Sequence, residues 1–84
     1  MKWTVVYRPA AADELAAIWL KATDRNAITV AANAIDLRLQ EDPMTAGESR
    51  GEHSRILIEL PLAVFFDVLE QDRIVSIWGV VSQK

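Results

Sequence analysis

The sequence contains no cysteine, one histidine, three prolines and three glycines, and its net charge is -3. Without cysteine, the chain has no disulfide framework and no thiolate metal site, and one histidine among scattered carboxylates makes a poor metal site. We therefore expect neither a metal nor a cofactor. The sequence pI near 5.0 argues against a broad nucleic-acid surface, which is usually basic. Any contact with nucleic acid is expected to be local.

Long apolar runs are missing as well. No run approaches the roughly 18 residues of a membrane helix, and the opening MKWTVVYRPAA lacks the apolar core of a signal peptide. We expect a cytoplasmic protein that does not contact a membrane. Apolar residues make up 51% of the chain and charged residues 25%, which is typical of a globular protein. A chain of 84 residues predicts a single domain, 1–84, with a small core.

The first half of the chain predicts a strand and a helix. Residues 3–7, WTVVY, are aromatic and β-branched, and Pro9 suits the first turn of a helix. The apolar residues of this helix recur at helical spacing, so we expect one buried face. That face is formed by Leu15, Ile18, Trp19 and Ala22.

A second helix is predicted to start at a cap formed by Thr23 or Asp24 and to end at about Asp42, before Pro43. Its predicted core stripe consists of Ile28, Ala31, Ala32, Ile35 and Leu39. Another stripe lies on a different side and consists of Val30, Ala34 and Leu37. It has two interpretations, a wide core face or a docking surface for a partner helix.

The second half predicts strands. After the loop PMTAGESRGE, the segment RILIEL alternates, with Ile56 and Ile58 on one side and Arg55 and Leu57 on the other. LAVFFDVL and RIVSIWGVV are separated by the polar EQD and predict a hairpin. With Gln71 and Asp72 at its tip, the predicted opposed pairs are Val68 with Val75, Phe66 with Ile77, and Phe65 with Trp78. The prediction is an α+β domain in the order β-α-α-β-β-β, with a helical hairpin packed on a mainly antiparallel sheet.

This order resembles the RelE/ParE superfamily of toxins from bacterial type II toxin-antitoxin systems, also called plasmid stabilization proteins. The segments that carry the resemblance are WTVVYRPAAADELAAIW, AANAIDLRLQEDP, GESR, R-x-x-x-x-x-PL-x-V-x-F-x-V and DRIVSIWGVV. The resemblance implies a growth inhibitor that a cognate antitoxin neutralises by wrapping a tail around it. A homodimer and a toxin-antitoxin hetero-oligomer are both compatible with it.

The resemblance implies more than one target. Members similar to RelE cleave messenger RNA on the ribosome, and members similar to ParE inhibit DNA gyrase without catalysis. A degenerate, non-toxic binding module is a third alternative. Because one fold serves several activities, the function has to be argued from the site.

The segment GESRGEHSRIL, residues 47–57, holds most of the candidate catalytic residues. A metal-independent ribonuclease must activate a ribose hydroxyl and offset phosphate charge, tasks that suit histidine and arginine. The candidates are Arg50, His53, Arg55 and Arg73. We expect Arg55, at the start of a strand, to point onto the open face of the sheet.

Two features favour a non-catalytic interpretation of these candidate residues. Cations at a loop boundary are usually solvated or paired with carboxylates such as Glu48, Glu52, Asp67 and Asp72. Ala63 stands where nuclease members of the superfamily usually have an arginine, and only residues 82–84 follow the last predicted strand, without the usual basic or tyrosine-bearing tail. The sequence leaves the target open, with messenger RNA slightly favoured.

Overall fold

The computed structural model describes residues 2–83 as two helices and a five-stranded mixed sheet. The elements are β1 (Thr4–Tyr7), α1 (Pro9–Lys21), α2 (Arg25–Glu41), β2 (Glu48–Ser49), β3 (Ser54–Glu59), β4 (Leu62–Leu69) and β5 (Ile74–Ser82). The sheet order is β1-β5-β4-β3-β2; β1 is parallel to β5 and the other neighbours are antiparallel. The predicted α+β fold is confirmed, and the structure adds β2, a two-residue strand inside the predicted loop.

The helical hairpin begins and ends where the sequence predicted. Pro9 opens α1, and Asp24 rather than Thr23 caps α2, accepting the N–H of Ala27 at 3.0 Å. Arg25 then closes the carboxyl end of α1, because its guanidinium donates to the carbonyls of Trp19 and Leu20 at 3.1 and 2.9 Å. Neither helix in residues 2–83 is long and apolar enough to cross a membrane.

Both helices pack on one side of the sheet, which we call the helix-covered face. Its buried apolar side chains include Ile28, Ala31, Ile35 and Leu39 of α2 and Leu57, Val64, Phe66, Val68, Val75, Ile77 and Val80 of the strands. The core stripe predicted for α2 is therefore confirmed, with Ala32 half-buried. The face predicted for α1 is only partly buried, since Trp19 is 40% exposed and Ala11 is the fully buried residue of that helix.

The second stripe of α2 does not belong to the core. Val30 is 56% exposed and Leu37 is 58% exposed, so the interpretation as a wide core face is wrong. At 100° per residue these side chains lie opposite Ile28 and Ile35 around the helix. The stripe therefore faces away from the sheet.

The hairpin of β4 and β5 has the predicted register near its turn. Val68 opposes Val75 and Phe66 opposes Ile77, as predicted. Phe65, however, opposes Gly79 instead of Trp78, because the register shifts between Phe65 and Phe66 and leaves Trp78 as an extra residue in β5. The rings of Phe65 and Trp78 are still in contact, with centroids 5.1 Å apart.

Candidate functional site

Within residues 2–83, no helix covers the second side of the sheet, which we call the open face. Opposed residues of neighbouring strands share a face, so the register assigns whole rows of side chains to it. One row runs from Ser54 through Asp67 to Ser76, and the next contains Ile56 and Phe65. Large apolar side chains are exposed around these rows: Val6 (41%), Ile58 (55%), Trp78 (40%) and Val81 (37%). The open face is therefore a largely apolar surface with a polar centre.

Asp67 organises this centre. Its Oδ1 accepts hydrogen bonds from the Ser54 hydroxyl at 2.6 Å and from the Trp78 indole N–H at 3.2 Å. Its Oδ2 pairs with Nη2 of Arg8 at 3.1 Å, and Nε of Arg8 donates to the buried Ser76 hydroxyl at 2.8 Å. These five residues form what we call the Asp67 cluster, in which one carboxylate balances one guanidinium.

From the sequence, Asp67 is only a carboxylate available to nearby cations, and Arg8 is not among the predicted site residues. The sequence does contain a pattern that could have identified Arg8. It follows Val6 by two positions at the end of β1, and strand alternation places both residues on one face. The contact between Arg8 and Asp67 spans 59 positions and required the fold.

Arg55 lies on the side opposite to the one expected. It opposes Phe66 and shares the helix-covered face with Leu57, so the expectation that it points onto the open face is wrong. Its Nε donates to the carbonyl of Ala46 at 2.9 Å, and its Nη2 donates to that of Gly47 at 3.1 Å. Gly47 has a φ of +66°, and a Cβ there would collide with the Ile56 carbonyl. Arg55 therefore holds a tight loop against the start of β3.

Arg50 and Arg73 lie apart from each other. Arg50 is exposed and pairs with Glu48 at 3.3 Å. Arg73 lies in the turn between β4 and β5 with a φ of +53°, and its guanidinium is 4.5 Å from the centre of the Trp3 ring. The carbonyl of Arg73 also accepts the N–H of Thr4 at 3.0 Å, so this residue attaches β1 to the hairpin.

His53 and Arg55 are the two predicted site residues that the structure brings to one place. Both line a small cavity of about 50 Å³, together with Ser49, Glu70 and others. The His53 side chain is mostly exposed, with Nε2 3.9 Å from Glu52. No group of three or more histidine or acidic side chains in residues 2–83 is arranged to hold a metal ion.

A second candidate site is the apolar groove between α1 and α2, which the sequence analysis had treated as part of a buried face. Its volume is about 570 Å³, and its lining includes Leu15, Ala16, Trp19, Leu20 and Ala32. Trp19 forms one wall, where its indole N–H donates to the Thr29 hydroxyl at 3.2 Å. Small alanines on both helices keep the groove open.

Tyr7 contributes the polar end of this interhelical groove. Its hydroxyl donates to Oδ1 of Asp36 at 3.2 Å. Burial, together with the neighbouring carboxylate, raises the pKa of Tyr7 far above its ordinary value. Burial also raises the pKa of Asp36, and the hydrogen bond from Tyr7 partly offsets this. Tyr7 is thus a protonated donor throughout the physiological pH range.

The architecture defines a class: a helical hairpin on one face of a small mixed sheet, with the other face open, is the fold of the RelE and ParE toxins. A chain of the toxin-antitoxin complex RelBE2 from Mycobacterium tuberculosis superposes with a TM-score of 0.81 and 12% identity, covering 99% of this chain and 93% of that one. A chain of the chromosomal ParDE system from P. aeruginosa superposes with a TM-score of 0.75 and 17% identity, covering 98% of this chain and 97% of that one. The isolated E. coli RelE toxin superposes with a TM-score of 0.70 and 13% identity, covering 98% of this chain and 85% of that one. At these identities the likeness shows the fold. No family model and no curated protein matches the sequence.

Proposed function

We propose that this protein is the toxin of a bacterial type II toxin-antitoxin system, a cytoplasmic growth inhibitor that a cognate antitoxin neutralises. The observation that carries the proposal is the fold, shared over 98–99% of this chain with chains of the RelBE2 and ParDE systems. The interhelical groove supports an antitoxin partner, because a groove of about 570 Å³ with mostly apolar walls fits the apolar side chains of a helical segment.

The open face supports inhibition by binding a protein target, with DNA gyrase as the candidate that a ParE-like toxin implies. Exposed Val6, Ile58 and Trp78 surround a centre whose charges are already paired. An apolar surface with a polar, hydrogen-bonded centre is typical of a protein interface. RNA phosphates would instead meet the Asp67 carboxylate on a protein of net charge -3, which disfavours their approach.

Cleavage of messenger RNA on the ribosome is the second candidate function, and one observation favours it. His53 and Arg55 line the same cavity, so an acid-base group and a phosphate ligand lie side by side. The hydrogen bonds from Arg55 to the carbonyls of Ala46 and Gly47 use two of its five N–H donors, which leaves three for a phosphate. Arg50 and Arg73 would then contact the RNA away from the scissile bond.

Tightly controlled induction in a bacterial host tests the proposal. We expect the wild type to arrest growth, to leave a reporter messenger RNA intact by primer extension, and to inhibit supercoiling by purified gyrase. Ile58→Glu places a charge on the open face at a position already 55% exposed, so it should relieve the arrest without unfolding the protein, whereas the matched control Ile58→Leu should retain it. Expression of a short open reading frame adjacent to the gene should restore growth if it encodes the antitoxin.

Each other outcome has a separate meaning. In-frame RNA cuts that disappear in His53→Ala would show that the protein acts as a nuclease and not by binding a protein target. Growth arrest with intact RNA and unaffected gyrase would support the proposal that the protein is a toxin and would reject gyrase as its target. Normal growth on expression of folded wild type would reject the toxin proposal and indicate a non-toxic binding module.

A further inference from the structure

The polar end of the interhelical groove contains a carboxylate that no cation neutralises. Asp36 of α2 is half-buried beside Tyr7, which lines the groove. Its Oδ1 accepts the hydrogen bond from the Tyr7 hydroxyl at 3.2 Å, and within residues 2–83 neither of its oxygens forms an ion pair. Burial raises the pKa of this carboxyl. A carboxylate accepts several hydrogen bonds, so Asp36 has acceptor capacity that the folded chain does not use.

The charged residues nearest to this end of the groove leave the carboxylate unneutralised. Arg8 precedes α1, but its guanidinium is held on the open face by Asp67. Arg38 is two positions further along α2, about 200° around the helix, and lines a different cavity at the outer edge of the sheet. Lys2 precedes β1 and is about five extended residues, roughly 16 Å, from the groove. Asp13, which follows a lining residue of α1, is itself acidic.

The opposite end of the groove selects no charge. It lies at the turn between the helices, where Lys21, Asp24 and Arg25 bring both signs together. Asp24 caps α2, and Arg25 donates to two carbonyls of α1 and stacks over the Trp19 ring at 4.7 Å. The charges of Asp24 and Arg25 are thus engaged within the hairpin. Only the end near Asp36 therefore favours one sign of charge in a ligand, and that sign is positive.

We propose that the interhelical groove recognises a helical segment of the antitoxin that carries a basic residue, lysine or arginine, whose side chain pairs with Asp36. The proposal rests on the proposed function, which assigns this groove to the antitoxin. The lining of α1 extends from Ala12 to Leu20, so the groove is roughly 12 Å long. Two turns of a helix cover this length with apolar side chains at i, i+4 and i+7. The basic residue follows on the same face, one turn further.

The surroundings of Asp36 make the pair selective. A docked helix excludes water from the groove, and a charge pair is stronger where the effective dielectric constant is low. A helix with an apolar or acidic residue at the same place would cover the carboxylate without a partner, which costs free energy. The apolar walls of the groove therefore supply affinity for many amphipathic helices, and Asp36 selects among them.

Fluorescence anisotropy with full-length protein from cell-free synthesis and two labelled synthetic peptides tests the proposal. Both peptides are alanine- and glutamine-rich helices with leucine at i, i+4 and i+7; one has lysine at i+11 and the other has glutamine there. The wild type should bind the lysine peptide at least about 10-fold more tightly. Asp36→Asn keeps an acceptor for the Tyr7 hydroxyl but removes the charge, so it should bind both peptides equally. Glu41→Gln removes the same charge from the exposed end of α2 and should retain the preference.

A second pair of variants locates the bound peptide. Ala16 lines the groove, so the ring of Ala16→Phe should fill it and lower the affinity for both peptides at least about 10-fold. Ala17→Phe, on the exposed side of α1 outside the lining, should leave both affinities unchanged. Circular dichroism verifies that all variants are folded.

Four results would overturn the proposal: no binding of either peptide, equal binding of both by the wild type, a preference that persists in Asp36→Asn, or binding that Ala16→Phe does not weaken. Growth arrest does not enter these measurements. Each of these results therefore leaves the toxin proposal standing, and a non-toxic wild type that still prefers the lysine peptide would reject the toxin proposal alone.

Discussion

Phe65 and Phe66 are adjacent in β4 and lie in opposite surroundings. Phe66 is completely buried on the helix-covered face among aliphatic side chains, whereas Phe65 is half-buried on the open face against Trp78. The helix-covered face is mostly apolar and excludes water. The open face combines exposed apolar groups with the Asp67 cluster, whose hydrogen bonds hold its side chains in place. One face therefore supplies the stability of the domain, and the other is available for binding.

The largest expected effect comes from truncating each phenylalanine in turn. Phe66→Ala should lower the free energy of unfolding by about 3 to 5 kcal/mol, because it removes a ring and leaves a cavity in a small core. Phe65→Ala should cost about 1 to 2 kcal/mol, since it loses one aromatic contact at a partly solvated site. Urea unfolding measures both. Equal costs would show that the open face is as important for stability as the helix-covered one.

Arg55 is a polar residue at the edge of the helix-covered face, and its truncation tests whether it acts there by holding the loop. Arg55→Ala should lower the free energy of unfolding by about 2 kcal/mol, because the carbonyls of Ala46 and Gly47 lose charged donors. Arg50→Ala is the control, since its exposed pair with Glu48 should contribute little. Urea unfolding combined with growth assays separates two roles: loss of growth arrest in a variant of unchanged stability would make Arg55 a functional residue.

Asp67→Asn tests the centre of the open face. The amide keeps the shape of the carboxylate and removes its charge, so Arg8 loses its ion pair while the Ser54 contact can persist. We expect a loss of at most about 1 kcal/mol in thermal unfolding, because half of the Arg8 side chain is exposed to water. Affinity for a protein target should fall more than stability does. A larger loss of stability than in Arg55→Ala would mean that the Asp67 cluster is mainly structural.

The smallest effect is expected from Tyr7→Phe and concerns pH. The folded state raises the pKa of Tyr7 above its ordinary value of 10.0, so above pH 10 the unfolded chain releases a proton that the folded chain retains. Wild-type stability should therefore fall as the pH rises past 10, by less than about 1.4 kcal/mol per pH unit because the ring is partly solvated. Tyr7→Phe should lack this contribution. If the free energies of unfolding of the two proteins changed in parallel between pH 9 and 11, the prediction would be wrong.

The elements of the fold were predictable because each has a local signal. Pro9 and Pro43 mark helix boundaries, the spacing of Ile28, Ile35 and Leu39 predicts the core stripe, and the polar tip predicts the hairpin. The two-residue β2 lacks such a signal, since Glu48 and Ser49 pair only through the geometry of the loop that Arg55 holds. The shift beside Phe65 is also invisible in the sequence, since no local motif marks it. The same holds for the contact near it in which the Glu14 carboxylate of α1 accepts the N–H of Val80, 66 positions away.

The candidate site was less predictable than the fold. Proximity in sequence suggested that Arg50, His53 and Arg55 act together, but strand alternation and loop geometry place only His53 and Arg55 at one cavity. The Asp67 cluster joins residues from four strands or their ends and has no compact motif. The exposure of Trp19 depends on the separation of α1 and α2, a distance that helical periodicity does not specify.

The pairing of β1 with β5 joins the first strand of the domain to its last strand. Thr4 pairs with Ile74 and Tyr7 with Ile77, and β5 lies between β1 and β4 in the sheet. Because this pairing joins residues about 70 positions apart, folding has to close a long loop before β1 can join the sheet. The topology therefore predicts slower folding than that of a domain built only from neighbouring hairpins.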